Sequence, residues 1–139
     1  MSPNSLKTPK LKSYLNSDII YGGYISDIKP KIIDSSVIIL PSYREGFSRV
    51  LMEAQACSRA VITSNVAGCR DAIVNNETGY LIPFKDKMLL HAKIEYLIKN
   101  KQEIYRMSKN ARRYAEINFD VDSISKMHLD ELLKNIAIN

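Results

Sequence analysis

Tryptophan is absent from the 139 residues, and histidine and cysteine occur only twice each. Cys57 and Cys69 lie far apart in no CxxC or His/Cys cluster, which excludes a disulfide framework and a zinc site and fits a reducing compartment. His91 and His128 have no second metal-type ligand at helical spacing, so neither suggests a metal or a proton-transfer role, and no metal is expected. No stretch approaches the uninterrupted apolar length of a membrane span, and the opening MSPNSLKTPKLKSYLN lacks a signal-type apolar segment; a cytoplasmic protein is expected. The net charge of +5 is not gathered in blocks, because Lys and Arg alternate with Asp and Glu. With neither a base-reading helix nor an aromatic-basic strand motif, no nucleic-acid partner is expected.

What is present is a chain of 45% hydrophobic and 25% charged residues, the balance of one globular domain. Residues 1–17, with Pro3 and Pro9 among Lys and Ser, read as a partly ordered lead-in, and 18–139 as the domain. Short apolar runs at 19–25, 37–41, 60–64 and 79–83 read as strands, their β-branched content and terminal Pro, Ser or Gly suiting buried parallel strands. Between them, 48–57 places Val50, Ala54 and Cys57 on one helical face, and 27–36 supplies a shorter helix. After Pro83 three helices are predicted: one with the stripe Leu90, Ile94, Leu97 and Ile98, a second with Ile104, Met107, Ala111, Tyr114 and Ala115, a third with Leu129, Leu132, Leu133 and Ile136. The fold class is α/β, a Rossmann-like parallel sheet flanked by helices with a helical C-terminal segment.

The stretch from Pro41 to Cys57, PSYREGFSRVLMEAQAC, carries the chemistry, because it runs from a strand end through a Gly-containing loop into a helix, where open α/β sheets bind ligands. Glu45 falls in the loop and Glu53 about one turn or slightly more into the helix, so the two carboxylates could grip two ends of one ligand. The helix start offers backbone N–H groups at Phe47, Ser48, Arg49 and Val50 and a positive dipole end, which favours an anion such as a diphosphate. Gly46 permits close approach of backbone to ligand.

The segment EGFSRVLMEA resembles the E-x7-E signature of retaining, family 4 type (group 1) glycosyltransferases of the two-domain GT-B fold. Its surroundings match as well: VIILPSYREGF upstream, and EAQACSRAVITSNVAGCRDAIVNNETGYLIPFKD downstream. The resemblance implies the C-terminal half of GT-B, binding a nucleotide diphosphate sugar, UDP-linked, with no cofactor. Within it, Glu53 would hold the ribose hydroxyls, Glu45 would act at the sugar near the transferring carbon, and Gly46, Phe47, Ser48 and Val50 would line sugar and phosphate. It also implies metal-independent transfer with electrostatic stabilisation of the departing diphosphate. Ser58 and Ala60 stand where the family usually has Gly and Pro, and Asp71 where it has Glu, mild changes of loop geometry.

The family's upstream phosphate-binding residues and its N-terminal acceptor domain have no counterpart in these residues, so transfer is expected to need a separate acceptor domain or chain. The wording GCRDAI points to relatives that build capsule, lipopolysaccharide or lipid-linked oligosaccharides. The rival reading is a non-catalytic fragment or interaction module that retains a degenerate donor site.

Other signals have plainer alternatives. Gly68 to Asp71 is either a donor-side loop or a turn with Asp71 near a helix N-terminus. Gly22, Gly23 and Tyr24 either border the base or make a strand-to-helix turn, the turn being favoured. Arg106, Lys109, Arg112 and Arg113 form a helix face that could meet an anionic membrane, a solvated face being the better reading.

Overall fold

Three of the four apolar runs form one parallel sheet in the computed structural model, which describes residues 15–44 and 46–119. The strands are β1 (Val37–Leu40), β2 (Ala60–Ser64) and β3 (Gly79–Ile82), paired in that order and in register from Val37 opposite Ala60 and Val61 opposite Gly79. All five residues of β2 are buried, as suits the central strand of a sheet covered on both faces.

Alternation along β2 sorts the core into two halves. Val61 packs with Ile32 of α1 (Lys29–Asp34), Leu51 and Ala54 of α2 (Arg49–Ala56), and Cys69 of α3 (Ala67–Arg70). Ala60 and Ile62 face the other way, onto Leu97 of α4 (Lys87–Lys99) and Met107 of α5 (Lys101–Asn118). Helices therefore lie on both faces, the flanked parallel sheet read from the sequence.

Local chemistry sets the boundaries. The Asp86 carboxylate caps α4 by accepting the Leu89 N–H at 2.9 Å. At the end of α2 the Ser58 N–H donates to the Gln55 carbonyl and the Arg59 N–H to that of Ala54, each at 2.9 Å, a Schellman closure that puts Ser58 at φ +58°. The resemblance sets Ser58 where glycine is usual, and a left-handed backbone is one that glycine suits. At Gly79 a Cβ would fall 2.2 Å from the Val61 carbonyl oxygen, so β3 can lie against β2 there only without a side chain.

Helix α5 runs under the amino ends of the strands. Arg106 Nη2 donates to the Asn76 carbonyl at 2.7 Å, Asn110 to that of Glu77 at 3.2 Å, and Arg112 to that of Ala56 at the foot of α2. From there it climbs beside α2, burying Ala111 and Ala115, until Phe119 meets Phe47.

Four expectations change. The run 19–25 pairs with no strand among the described residues: Ile20 is 84% and Tyr24 95% exposed, and Gly23 at φ +68° breaks the extended path. The buried face of α2 is Leu51, Ala54 and Gln55, with Val50 and Cys57 only half-buried; Gln55 is held inside by its Nε2, which donates to the Ala72 carbonyl, while its buried Oε1 has no partner among the described residues. Ile98 lies off the α4 stripe, 69% exposed beside β1. Asp71 is at the C-terminal cap of α3, not near a helix N-terminus. The third C-terminal helix and His128 lie outside the described residues, and so does Glu45.

Candidate functional site

The carboxyl end of β1 leads through Pro41 to Arg44 into the loop before α2, so that the start of α2 stands above the carboxyl ends of the sheet. Ser48, the N-cap, is buried and extended, and its N–H donates to the Gly68 carbonyl at 3.4 Å. That bond joins the helix start to the α3 turn, and it removes the Ser48 amide from the four N–H groups expected to face a ligand. The Met52 N–H already bonds to the Ser48 carbonyl, so the amides of Arg49, Val50 and Leu51 precede the first intrahelical acceptor and hold the positive end of the helix.

Gly46 and Phe47 are exposed at this lip. A Cβ built on Gly46 meets no atom within 4 Å, so packing among the described residues does not demand glycine there. The space beside it is open. Val50, half-buried on the first turn, is the fourth predicted lining residue. Gly46, Phe47, Ser48, Val50 and Glu53 therefore share one helix start, while the placement of Glu45 lies outside the described residues.

Glu53 follows on the second turn, with its side chain 43% exposed and an oxygen 3.7 Å from Arg49 Nε, itself 86% exposed. A pair this long and wet holds the carboxylate weakly, leaving it able to exchange Arg49 for ligand hydroxyls.

Three supports of the site were not legible in sequence. The buried amide of Gln55 donates to the Ala72 carbonyl at 2.5 Å and anchors α2 to the chain after α3. Phe119 and Tyr114 stack edge-on behind Phe47, the first at 6.0 Å from it and the second at 5.4 Å from Phe119. Burial, and secondarily the charge of Asp71, raises the Tyr114 phenol above its ordinary range, so it stays neutral there. Such contacts join distant segments, and no local pattern signals them.

A second cleft, about 270 Å³, opens at the same end of the sheet but on the α4 side, between Tyr43 and Phe84. Those rings meet edge-on at 5.2 Å, and the lining is mostly apolar, with none of the residues Gly46 to Glu53 among it. Among the described residues, no group of three or more His, Cys, Asp or Glu is placed to hold a metal ion, and no helix is long and apolar enough to cross a membrane. His91 is exposed on α4.

A family model described as "Glycosyl transferases group 1" matches residues 2–114. The chain is 33% identical over 127 residues to the N,N'-diacetylbacillosaminyl-diphospho-undecaprenol alpha-1,3-N-acetylgalactosaminyltransferase of Campylobacter jejuni, covering 88% of this chain and 34% of that protein. Among solved structures, it is similar to the C-terminal domain of a glycosyl transferase group 1 family protein (LpcC) from Francisella tularensis, at 27% identity and a TM-score of 0.72 over 81% of this chain and 60% of that one. Anabaena Alr3699/HepE, in complex with UDP and glucose, shares the fold at 22% identity and a TM-score of 0.78, over 89% of this chain and 34% of that one. The chain thus spans about a third of the Campylobacter relative, and its sheet and helices correspond to a C-terminal part of the GT-B fold. It belongs to the group 1 glycosyltransferases.

Proposed function

We propose that this chain holds the donor of a glycosyl transfer, a nucleotide diphosphate sugar with UDP as the nucleotide, at the N-terminus of α2. The observation that carries the reading is the joint placement of Gly46, Phe47, Ser48, Val50 and Glu53 at one helix start above the carboxyl ends of a parallel sheet. There the diphosphate meets the amides of the first turn, the ribose hydroxyls replace Arg49 as partners of Glu53, and Gly46 leaves room for the sugar. Glu45, next in sequence to Gly46, is assigned to the sugar near its transferring carbon. Stabilisation of the leaving diphosphate is electrostatic and involves neither metal nor cofactor.

The acceptor reading rests on the Campylobacter relative, whose name places its acceptor on diphospho-undecaprenol. By analogy the acceptor here is lipid-linked or a growing surface polysaccharide, the protein working in the cytoplasm at the inner face of the membrane. The acceptor-binding residues come from a separate N-terminal domain or chain. An interaction module with an idle donor site is the second reading, favoured by the apolar hollow between β1 and α4, where Ile39 and Ile98 are exposed among the described residues.

The test is a calorimetric titration of the full chain with UDP, GDP and their sugar conjugates. Saturable binding of UDP that Glu53→Ala weakens supports the donor reading; a folded protein that binds none of them leaves the interaction module.

A further inference from the structure

At the opposite end of the sheet lies a cleft of about 940 Å³ beneath the amino ends of β1 and β2. Five cations line it, Arg59, Lys101, Lys109, Arg112 and Arg113, against a single carboxylate, Glu116. Arg112 is committed to the Ala56 carbonyl and to Glu116, and Lys109 Nζ sits 5.5 Å from the Tyr105 ring centre. Arg59 lines the cleft too; its Nε is buried and without a hydrogen-bond partner, so a ligand in the cleft would be met by its terminal guanidinium nitrogens. Arg113 and Lys101 form no ion pair among the described residues.

Hydroxyls of Ser36, Ser58 and Ser108 share the cleft and add neutral donors. The negative end of α2 points here, but Arg112 already covers its last turn, and half a charge is outweighed by the cations. A concave, hydroxyl-lined site with fork-shaped donors suits a discrete oxyanion better than the plane of a bilayer.

We propose that this cleft is a second anion site that takes a small free phosphoryl anion, inorganic diphosphate or a phosphate monoester, with Arg59 and Arg113 as its main donors. It is separate from the proposed donor site, since the eight residues of α2 stand between them, a rise of roughly 12 Å.

The experiment is calorimetric titration of the full chain with inorganic diphosphate at near-physiological salt, repeated on Arg59→Gln/Arg113→Gln, on Arg49→Gln at the exposed start of α2, and on Lys31→Gln/Lys99→Gln as a control for lost charge elsewhere. Thermal unfolding checks each variant. Saturable binding that loosens about tenfold or more in the double arginine variant, and stays within about twofold in the other two, is the expected result. Arg113→Gln alone, at an exposed position, keeps the test readable if Arg59 is needed for folding, and loosens binding several-fold.

Absence of saturable binding overturns the proposal, as does equal loss in the lysine control. Loss in Arg49→Gln with retention in the Arg59 and Arg113 variants assigns the diphosphate to the start of α2 and overturns it too. Capture of the chain by phosphatidylglycerol vesicles, dependent on Arg59 and Arg113 and without diphosphate binding, makes the patch a membrane contact instead.

Discussion

The ring of Phe119 stands edge-on to that of Phe47, centroids 6.0 Å apart at 81°, so the end of α5 braces the loop that opens α2. The two residues lie far apart in sequence, and through them the last described helix touches the proposed donor site. Tyr114 completes the trio, its ring edge-on to Phe119 at 5.4 Å.

Phe119→Ala removes both ring contacts and is expected to cost about 1–2 kcal/mol, since each aromatic pair contributes about 0.5–1.5 kcal/mol and the rings are partly wet. A urea unfolding midpoint measures this. UDP affinity is expected to fall several-fold as well, while Phe119→Leu, which keeps apolar contact, recovers part of both.

Ser58 holds a left-handed backbone at φ +58° in the Schellman closure of α2, a conformation that costs an L-residue about 1–2 kcal/mol. Ser58→Gly relieves that strain and loses part of the gain to unfolded-state entropy. A net stabilisation of about 0.5–1 kcal/mol is expected, read as a rise of about 2–5 °C in Tm. No change in Tm would show that the site is unstrained.

Glu103 joins Arg106, at 2.7 Å, to the Tyr80 hydroxyl, at 3.4 Å, and the hydrogen bond from Arg106 holds its carboxyl below the ordinary value of 4.5. A carboxyl depressed in the folded state contributes stability that is present above its unfolded pKa and is lost as pH falls through the folded one. Glu103→Gln is therefore expected to be less stable than the parent at pH 7, by under about 1 kcal/mol because Arg106 is nearly half exposed. The difference closes as pH falls below the usual carboxylate range. Chemical denaturation at stepped pH checks it, and a gap that widens in acid contradicts the assignment.

Much of this arrangement is legible in the residues, for definable reasons. The runs 37–41, 60–64 and 79–83 became β1, β2 and β3 with ends shifted by a residue at most, because short β-branched runs between turn residues have one stable use in a covered sheet. The run 19–25 is apolar too but pairs with no strand among the described residues, since apolarity alone supplies no pairing partner and its Gly23 has a left-handed backbone, φ +68°. On α2 the pattern selected Val50, Ala54 and Cys57, while the core takes Leu51, Ala54 and Gln55. A glutamine counts as polar until its amide is seen to end on Ala72. Gly46, Phe47, Ser48, Val50 and Glu53 are near in sequence and fall at one helix start, yet the Ser48 bond to Gly68 and the stack behind Phe47 join distant segments that no window along the chain can reveal.

The central claim, a nucleotide diphosphate at the start of α2, is tested most directly by mapping backbone amide shifts of the full chain as UDP is added. The account predicts that the largest changes fall on Phe47, Arg49, Val50 and Leu51, that Glu53→Ala weakens them, and that Gly46→Ala leaves the fold intact while reducing affinity. Changes centred instead on the Tyr43 and Phe84 cleft, with Glu53→Ala binding as well as the parent, would contradict it.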